Sequence, residues 1–167
     1  MAIYFFDTSA LVKRYAPEEG TRWVQSVTDP ASSNRIYIAR ITGAEVIAAF
    51  TRNVRDGDTT LANAAKVIVD FRYDFNNQYS LIEISELVVA RAMALIETHT
   101  LKGYDGIQLA AAIAINAALL SINIPVVGGS ALILVSADNQ LNRAAAAEGL
   151  RLENPQSHLH PHDKVSP

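Results

Sequence analysis

A three-layer α/β/α domain on a central, mainly parallel sheet of four to five strands is the fold expected of this 167-residue chain. Three observations carry that expectation. Short apolar runs such as YFF, RIYIA, SLIEI and ALILV recur along the chain. Stretches with helical periodicity separate them, the alternation that gives parallel strands with helices on both faces. Half of the residues are apolar, enough for a core, and the length suits one domain.

The elements follow in order. Residues 2–6 form the first strand, and 8–15 a short helix ended by Pro17. Residues 18–28 form a second helix with Trp23, Val24 and Val27 inward. DPASSN at 29–34 is a loop by composition, and RIYIAR at 35–40 the second strand. A helix runs from Thr42 to about Arg55 and turns at DGD, 56–58. Its hairpin partner spans 59–74, with Ala62, Ala65, Val69 and Phe71 apolar. A strand at 80–84, a helix at 86–100 and a central helix at 104–121 come next. Gly128-Gly129-Ser130 break the chain before the strand 131–135. A helix at 139–148 ends at Gly149, and a short strand at 150–152 closes the sheet. The domain thus covers 1–152, and 153–167 reads as a flexible C-terminal tail. That tail carries His158, His160 and His162, whose alternation could bind a transition metal but lacks a scaffold to orient the rings.

A formal net charge of −3 does not suggest a broadly basic nucleic-acid binder, although acids gathered in a metal site would mask modest basic patches. The absence of cysteine removes disulfides and thiolate chemistry and suits a reducing cytoplasm. No basic region precedes an apolar stretch at the N-terminus, so no signal peptide is expected. The apolar run 107–127 is interrupted by Gln108, Asn116, Ser121, Asn123 and Pro125. It falls short of the roughly 18 clean apolar residues of a membrane span and reads as a buried helix.

Four acids sit at junctions between elements. Asp7 ends the first strand, Glu45 opens the helix after the second, Asp105 opens the central helix and Asp138 follows ALILV. Each has a structural explanation. Asp7 and Asp138 suit N-caps, Thr42 and Glu45 fit the capping box T-x-x-E, and Asp105 favours the positive end of its helix. Together they ask for more, because strand ends feeding helices share one edge of a parallel sheet, where ligands bind, so at least three of the four should lie on the same rim. Two carboxylates about 4 Å apart repel by roughly 4 kcal/mol at an effective dielectric near 20. A bound cation removes that repulsion, and hard oxygen ligands without His or Cys point to Mg²⁺ or Mn²⁺. Thr8, Ser9 and Ser136 add hydroxyls beside the site. Such a site suits phosphoryl chemistry. No Walker loop or G-x-G-x-x-G follows a strand.

FFDTSALVKRY, the helical Glu45, YDGIQLAAA around Asp105 and LVSADNQLNRAA around Asp138 together resemble the PIN domain, with a closer resemblance to the VapC-type toxins of toxin–antitoxin pairs. The resemblance covers about residues 2–152. It implies a Mg²⁺-dependent endoribonuclease, with Mn²⁺ as a substitute, that cleaves structured RNA by metal-activated water. Asp7 and Asp105 would be the primary metal ligands, Glu45 and Asp138 would complete the negative pocket, and Thr8 would support Asp7. It also implies a cytoplasmic protein that forms a homodimer and is silenced by a cognate antitoxin, with no membrane partner. RNA phosphates would need cations, and Lys13, Arg14, Arg40, Lys102 and Arg143 are the candidates near the rim. An antitoxin helix would lie on apolar surface left open by Leu11, Val12, Trp23 and Val24 and by Val46, Ile47, Phe50 and Val54. The sequence departs from the family where a small and then a polar or histidine residue follow Asp105, here Gly106 and Gln108. Gly106 would weaken the helix by roughly 1 kcal/mol and could admit RNA or backbone closely. The stretch VVGGSA is longer than usual, and the histidine tail is an addition.

Two other readings compete. A haloacid-dehalogenase-like phosphatase also begins with an aspartate after its first strand, but needs a second two residues on, where this chain has Ser9. A catalytically silent PIN fold, serving as an RNA-binding or scaffold module, would lack one or more of the four acids, and all are present.

Overall fold

The computed structural model of the protein describes residues 1–122, 124, 126 and 129–158. Five strands form one sheet in the order β3-β2-β1-β4-β5, and every neighbouring pair is parallel. They are β1 (Ile3–Phe6), β2 (Arg35–Ala39), β3 (Ser80–Ile82), β4 (Ile133–Val135) and β5 (Arg151–Glu153). The helices are α1 (Thr8–Leu11), α2 (Thr21–Thr28), α3 (Thr42–Asp56), α4 (Leu61–Asn77), α5 (Glu86–His99), α6 (Gly103–Ser121) and α7 (Asn139–Ala147).

The period of two along each strand divides the core. Phe5, Tyr37, Ala39 and Leu134 join α5, α6 and α7 in one cluster. Phe6, Ile36, Ile38, Ile133 and Val135 join α1, α2, α3 and α4 in the other. Both faces of the sheet are covered, which is why its strands read as unbroken apolar runs. Full burial of side chains such as Phe5, Phe6 and Leu134 contributes about 1.5–3 kcal/mol each. Strand order reverses at β1, with β2 and β3 on one side and β4 and β5 on the other. The crevice between the carboxyl ends of β1 and β4 is therefore the switch point where ligands of such sheets bind.

Several predicted elements end elsewhere. The first helix is α-helical only over Thr8–Leu11 and tightens into a 3₁₀ turn at Val12–Arg14. The second starts at Thr21, because Gly20 adopts φ 84° and passes so close to the C-terminal segment that a Cβ would sit 2.3 Å from the Pro155 carbonyl oxygen. In α4 the inward stripe is Ala64, Val67, Ile68, Phe71 and Phe75, whereas Ala62, Ala65 and Val69 face solvent. The helical period, counted from Phe71, selects that set. β3 and β4 are shorter than their apolar runs.

Among the described residues, α6 is the one helix long and apolar enough to cross a membrane. Here it packs on α5 and the sheet, with Leu109, Ala110, Ala111 and Ala112 fully buried. Gly106 faces α5, and a Cβ there would lie 2.4 Å from Ile96 Cγ1. The close approach it permits is therefore that of a neighbouring helix, not of RNA. β5 ends one residue past the predicted domain boundary. Pro155–Ser157 then form a 3₁₀ turn, and the His158 ring stacks on Trp23 with centroids 4.3 Å apart. His160 and His162 lie outside the described residues.

Candidate active site

Asp7 leaves β1 in extended conformation and caps α1, accepting a hydrogen bond from the Ala10 amide at 3.0 Å. Its carboxylate also accepts from the Ser9 hydroxyl, 2.9 Å from both oxygens, and from the Ser136 hydroxyl at 3.0 Å. It is 4% exposed. Burial pushes its carboxyl up to about 7; the three donors oppose this, and the charge of Asp105 adds to it. Burial and the charge of Asp138 push Asp105 up as well, while Lys102 pulls it down. Asp138 caps α7 through the amides of Gln140 at 2.7 Å and Leu141 at 2.9 Å. Asp7 and Asp138 are thus both caps, and Asp105 is coupled to each of them by like charge.

The capping box read at Thr42 and Glu45 does not form. Ile41 precedes α3 without a side-chain cap. The Thr42 hydroxyl instead accepts from Gln108 Nε2 at 2.9 Å. Glu45 Oε2 accepts from the Thr8 hydroxyl at 2.7 Å and from Gln108 Nε2 at 2.6 Å. Thr8 therefore serves Glu45 rather than Asp7, because as the first residue of α1 it faces α3, and Ser9 takes the Asp7 position.

Two networks meet at this edge. One runs from Asp7 through Ser9 and Ser136 to the backbone of Ala137 and Asp138, whose amides donate at 2.9 and 3.0 Å. The other joins Thr8, Glu45, Thr42 and Gln108. Residues 7–9 connect them on one side, and on the other α6 carries Asp105 and Gln108 three positions apart, on one face. Among the described residues, no three His, Cys, Asp or Glu side chains stand close enough to hold a metal ion as they are arranged. Asp7 is drawn to its hydroxyls and Glu45 to Thr8 and Gln108, as expected of like charges held apart by separate donors. The donors on this rim are nonetheless all hard oxygens, the type that suits Mg²⁺ or Mn²⁺.

The basic candidates divide. Lys13 is 4% exposed and pairs with Glu18 at 2.8 Å. Arg14 is held by Asp74, Thr28 and Gln78. Arg40 pairs with Glu83 at 2.6 Å. These three already have protein partners, and the first two are structural. Lys102 and Arg143 are exposed. Most of the surface assigned to an antitoxin is core, since Leu11, Val24, Val46 and Phe50 are buried, and Trp23 is covered by His158. His158 itself bonds Glu153 at 2.8 Å.

Sequence reasoning noted Gln108 as an interruption of the apolar run and as a departure from the family, without a role, and missed Asn142. Gln108 is 2% exposed and its Oε1 has no partner. Such a stranded acceptor costs about 1–3 kcal/mol. Asn142 Nδ2 donates to the Ser136 carbonyl at 2.9 Å, tying α7 to the loop after β4. A polar residue inside an otherwise apolar helix, spaced three from an acid, was the available signal for Gln108.

A three-layer parallel α/β domain with an acidic carboxyl edge at its switch point is the class these features define. A model of the PIN domain matches residues 4–147, and the chain belongs to that family. It is 28% identical over 152 residues to Ribonuclease VapC45 of Mycobacterium tuberculosis (strain CDC 1551 / Oshkosh), covering 91% of this chain and 95% of that protein. Among solved structures, VapBC2 from Rickettsia felis bound to a DNA fragment from their promoter shares the fold. The TM-score is 0.58 at 19% identity, covering 91% of this chain and 98% of that one. A toxin–antitoxin complex from Klebsiella pneumoniae matches with a TM-score of 0.57 at 20% identity, covering 93% and 98%.

Proposed function

We propose that this chain is a metal-dependent endoribonuclease, the toxin of a toxin–antitoxin pair, acting in the cytoplasm on RNA. The observation that carries the reading is the buried Asp7 carboxyl, held by three donors of neutral type and raised to about 7, with the like charge of Asp105 adding to the rise. Asp7 and Asp105 would hold Mg²⁺, or Mn²⁺ in its place, with Glu45 and Asp138 completing the pocket. When bound, the ion acidifies a water and neutralises a phosphodiester. Ser9 and Ser136 fix the Asp7 carboxylate through both oxygens. Glu45 is held by one oxygen, and its other is available to orient the attacking water. Lys102 and Arg143 are the cations left to meet RNA phosphates. The match to a ribonuclease over nearly the whole chain supports the substrate class, and PIN membership, with Ser9 where a phosphatase needs a second aspartate, disfavours the dehalogenase-like alternative.

The antitoxin reading draws support from the folds shared with toxin–antitoxin complexes. It also draws support from a cavity of about 660 Å³ between the segment after α1 and the α3–α4 hairpin. Tyr15, Pro17, Phe50 and Val67 line it, with Glu18 and Asp70. An amphipathic segment with a basic end suits that chemistry. Exposed Leu87, Val89 and Met93 on α5 support a homodimer.

The test is to co-express the chain with its genomic neighbour, purify by a tag on one partner, and assay RNA cleavage in Mg²⁺ and in EDTA, before and after digesting the neighbour away. Cleavage that needs both Mg²⁺ and removal of the neighbour is the expected outcome. Cleavage indifferent to EDTA sinks the metal assignment, and failure to co-purify sinks the antitoxin.

A further inference from the structure

We propose that Gln108 is a positioning residue that acts through Glu45, presenting one chosen oxygen of that carboxylate to the acidic rim; the proposal rests on the nuclease reading above. Two donors, Gln108 Nε2 and the Thr8 hydroxyl, converge on the same atom, Glu45 Oε2, at 2.6 and 2.7 Å. No donor among the described residues reaches Glu45 Oε1. A carboxylate clamped through one oxygen has its second oxygen aimed, and that is the oxygen left for water or cation.

The amide has no freedom to turn around. Its two N–H groups are taken by Glu45 Oε2 and by Thr42 Oγ1 at 2.9 Å, with Thr8 Oγ1 at 3.3 Å as a weaker third contact. Reversing it would set Gln108 Oε1 against Glu45 Oε2, two acceptors with no proton between them. The orientation that serves Glu45 is the one that strands Oε1 in the interior without a partner. Packing alone does not ask for this arrangement, since the neighbouring Leu109 and Ala110–Ala112 of α6 are apolar and fully buried. Helix α6 thus contributes to the rim twice, directly through Asp105 and indirectly by steering Glu45 of α3.

The experiment is a double-mutant cycle on the full chain with Gln108→Met, which keeps the length and shape of the side chain, Glu45→Gln, and the two combined, beside Gln108→His. Three quantities are measured: kcat and KM for RNA cleavage in Mg²⁺, Mn²⁺ affinity by calorimetry without RNA, and melting temperature. Gln108→Met is expected to lower kcat about 10- to 100-fold, the usual effect of removing a group that orients a ligating or reacting side chain. KM for RNA should stay unchanged and Mn²⁺ affinity should fall. In the Glu45→Gln background the methionine should cost nothing more, because its effect passes through Glu45. Gln108→His, which restores an N–H donor, should recover most of the loss. Additive losses in the cycle, or a methionine variant as active as the wild type, overturn the proposal. So does a loss of activity that tracks melting temperature and is not rescued by histidine. If Gln108→Met does not fold, Gln108→Leu takes its place in the same cycle. If the wild type binds Mn²⁺ but cleaves no RNA, the nuclease reading falls, and the Mn²⁺ affinities alone decide Gln108: equal values in wild type and Gln108→Met overturn its role.

Discussion

The segment from Asp7 to Tyr15 feeds two buried polar clusters with opposite charge accounts. At its far end, Arg14 donates to Asp74 at 3.0 Å, to the Thr28 carbonyl at 2.6 Å and to Gln78 at 3.1 Å. Tyr15 donates to the same Asp74 oxygen at 2.8 Å and bonds Tyr79. One cation meets one anion, and the 3₁₀ turn after α1 is tied to α2 and α4. At its near end, Asp7 has only hydroxyls and an amide as partners, and its charged neighbour is the Asp105 carboxylate, of the same sign. Burial is common to both clusters. Charge imbalance is what separates the brace from the cation site proposed above.

That contrast can be broken at either end. The largest effect is expected from Asp7→Asn, which should reduce Mg²⁺-dependent RNA cleavage by about 10²–10⁴-fold, the range for a positioned acid–base or ligating group. Stability should not suffer. The Asp7 carboxyl is raised from 3.8 to about 7, so between those values the folded state keeps a proton that the unfolded state has lost. Stability of the metal-free wild type therefore falls as pH rises from about 4 to about 7. Asp7→Asn should flatten that slope and melt at a higher temperature at pH 8. A variant that keeps full activity, or unfolds at pH 8, contradicts the unbalanced cluster.

The mirror experiment is Arg14→Ala. Removing one partner of a mostly enclosed pair leaves Asp74 uncompensated and should cost about 3 kcal/mol in denaturant unfolding. In Mg²⁺, the fraction that remains folded should cleave RNA as the wild type does. Activity loss beyond the loss of folded protein would show that the brace also shapes the site.

A smaller effect comes from the ion itself. Mg²⁺ or Mn²⁺ at a hundredfold excess over its Kd should stabilise the wild type by about 2.7 kcal/mol, reversibly with EDTA. Asp105→Asn should erase most of that gain in a thermal melt. An undiminished shift in the variant would place the ion elsewhere.

Local patterning was sufficient for the strands, the helices and their order, because apolar period and breaker residues are properties of neighbours in sequence. It was also sufficient to expect the acids that follow strands, Asp7, Glu45 and Asp138, on one edge, since a parallel sheet sends every strand end there; Asp105 follows a helix, α5, and its place was not given by that rule. It erred where a side chain had two possible partners. Thr42 and Glu45 carry a local capping box, yet a glutamine 63 residues beyond Glu45 and the hydroxyl of Thr8 outbid it. Lys13 and Arg14 looked like free cations until Glu18 and Asp74 arrived from other turns and helices. Gly106 read as a weak point in a helix until Ile96 came to rest against it. Hydrogen-bond and ion-pair partners depend on which donors and acceptors the fold brings within about 3 Å. A linear pattern holds only the local candidates for those partnerships, and the tertiary structure chooses among all of them.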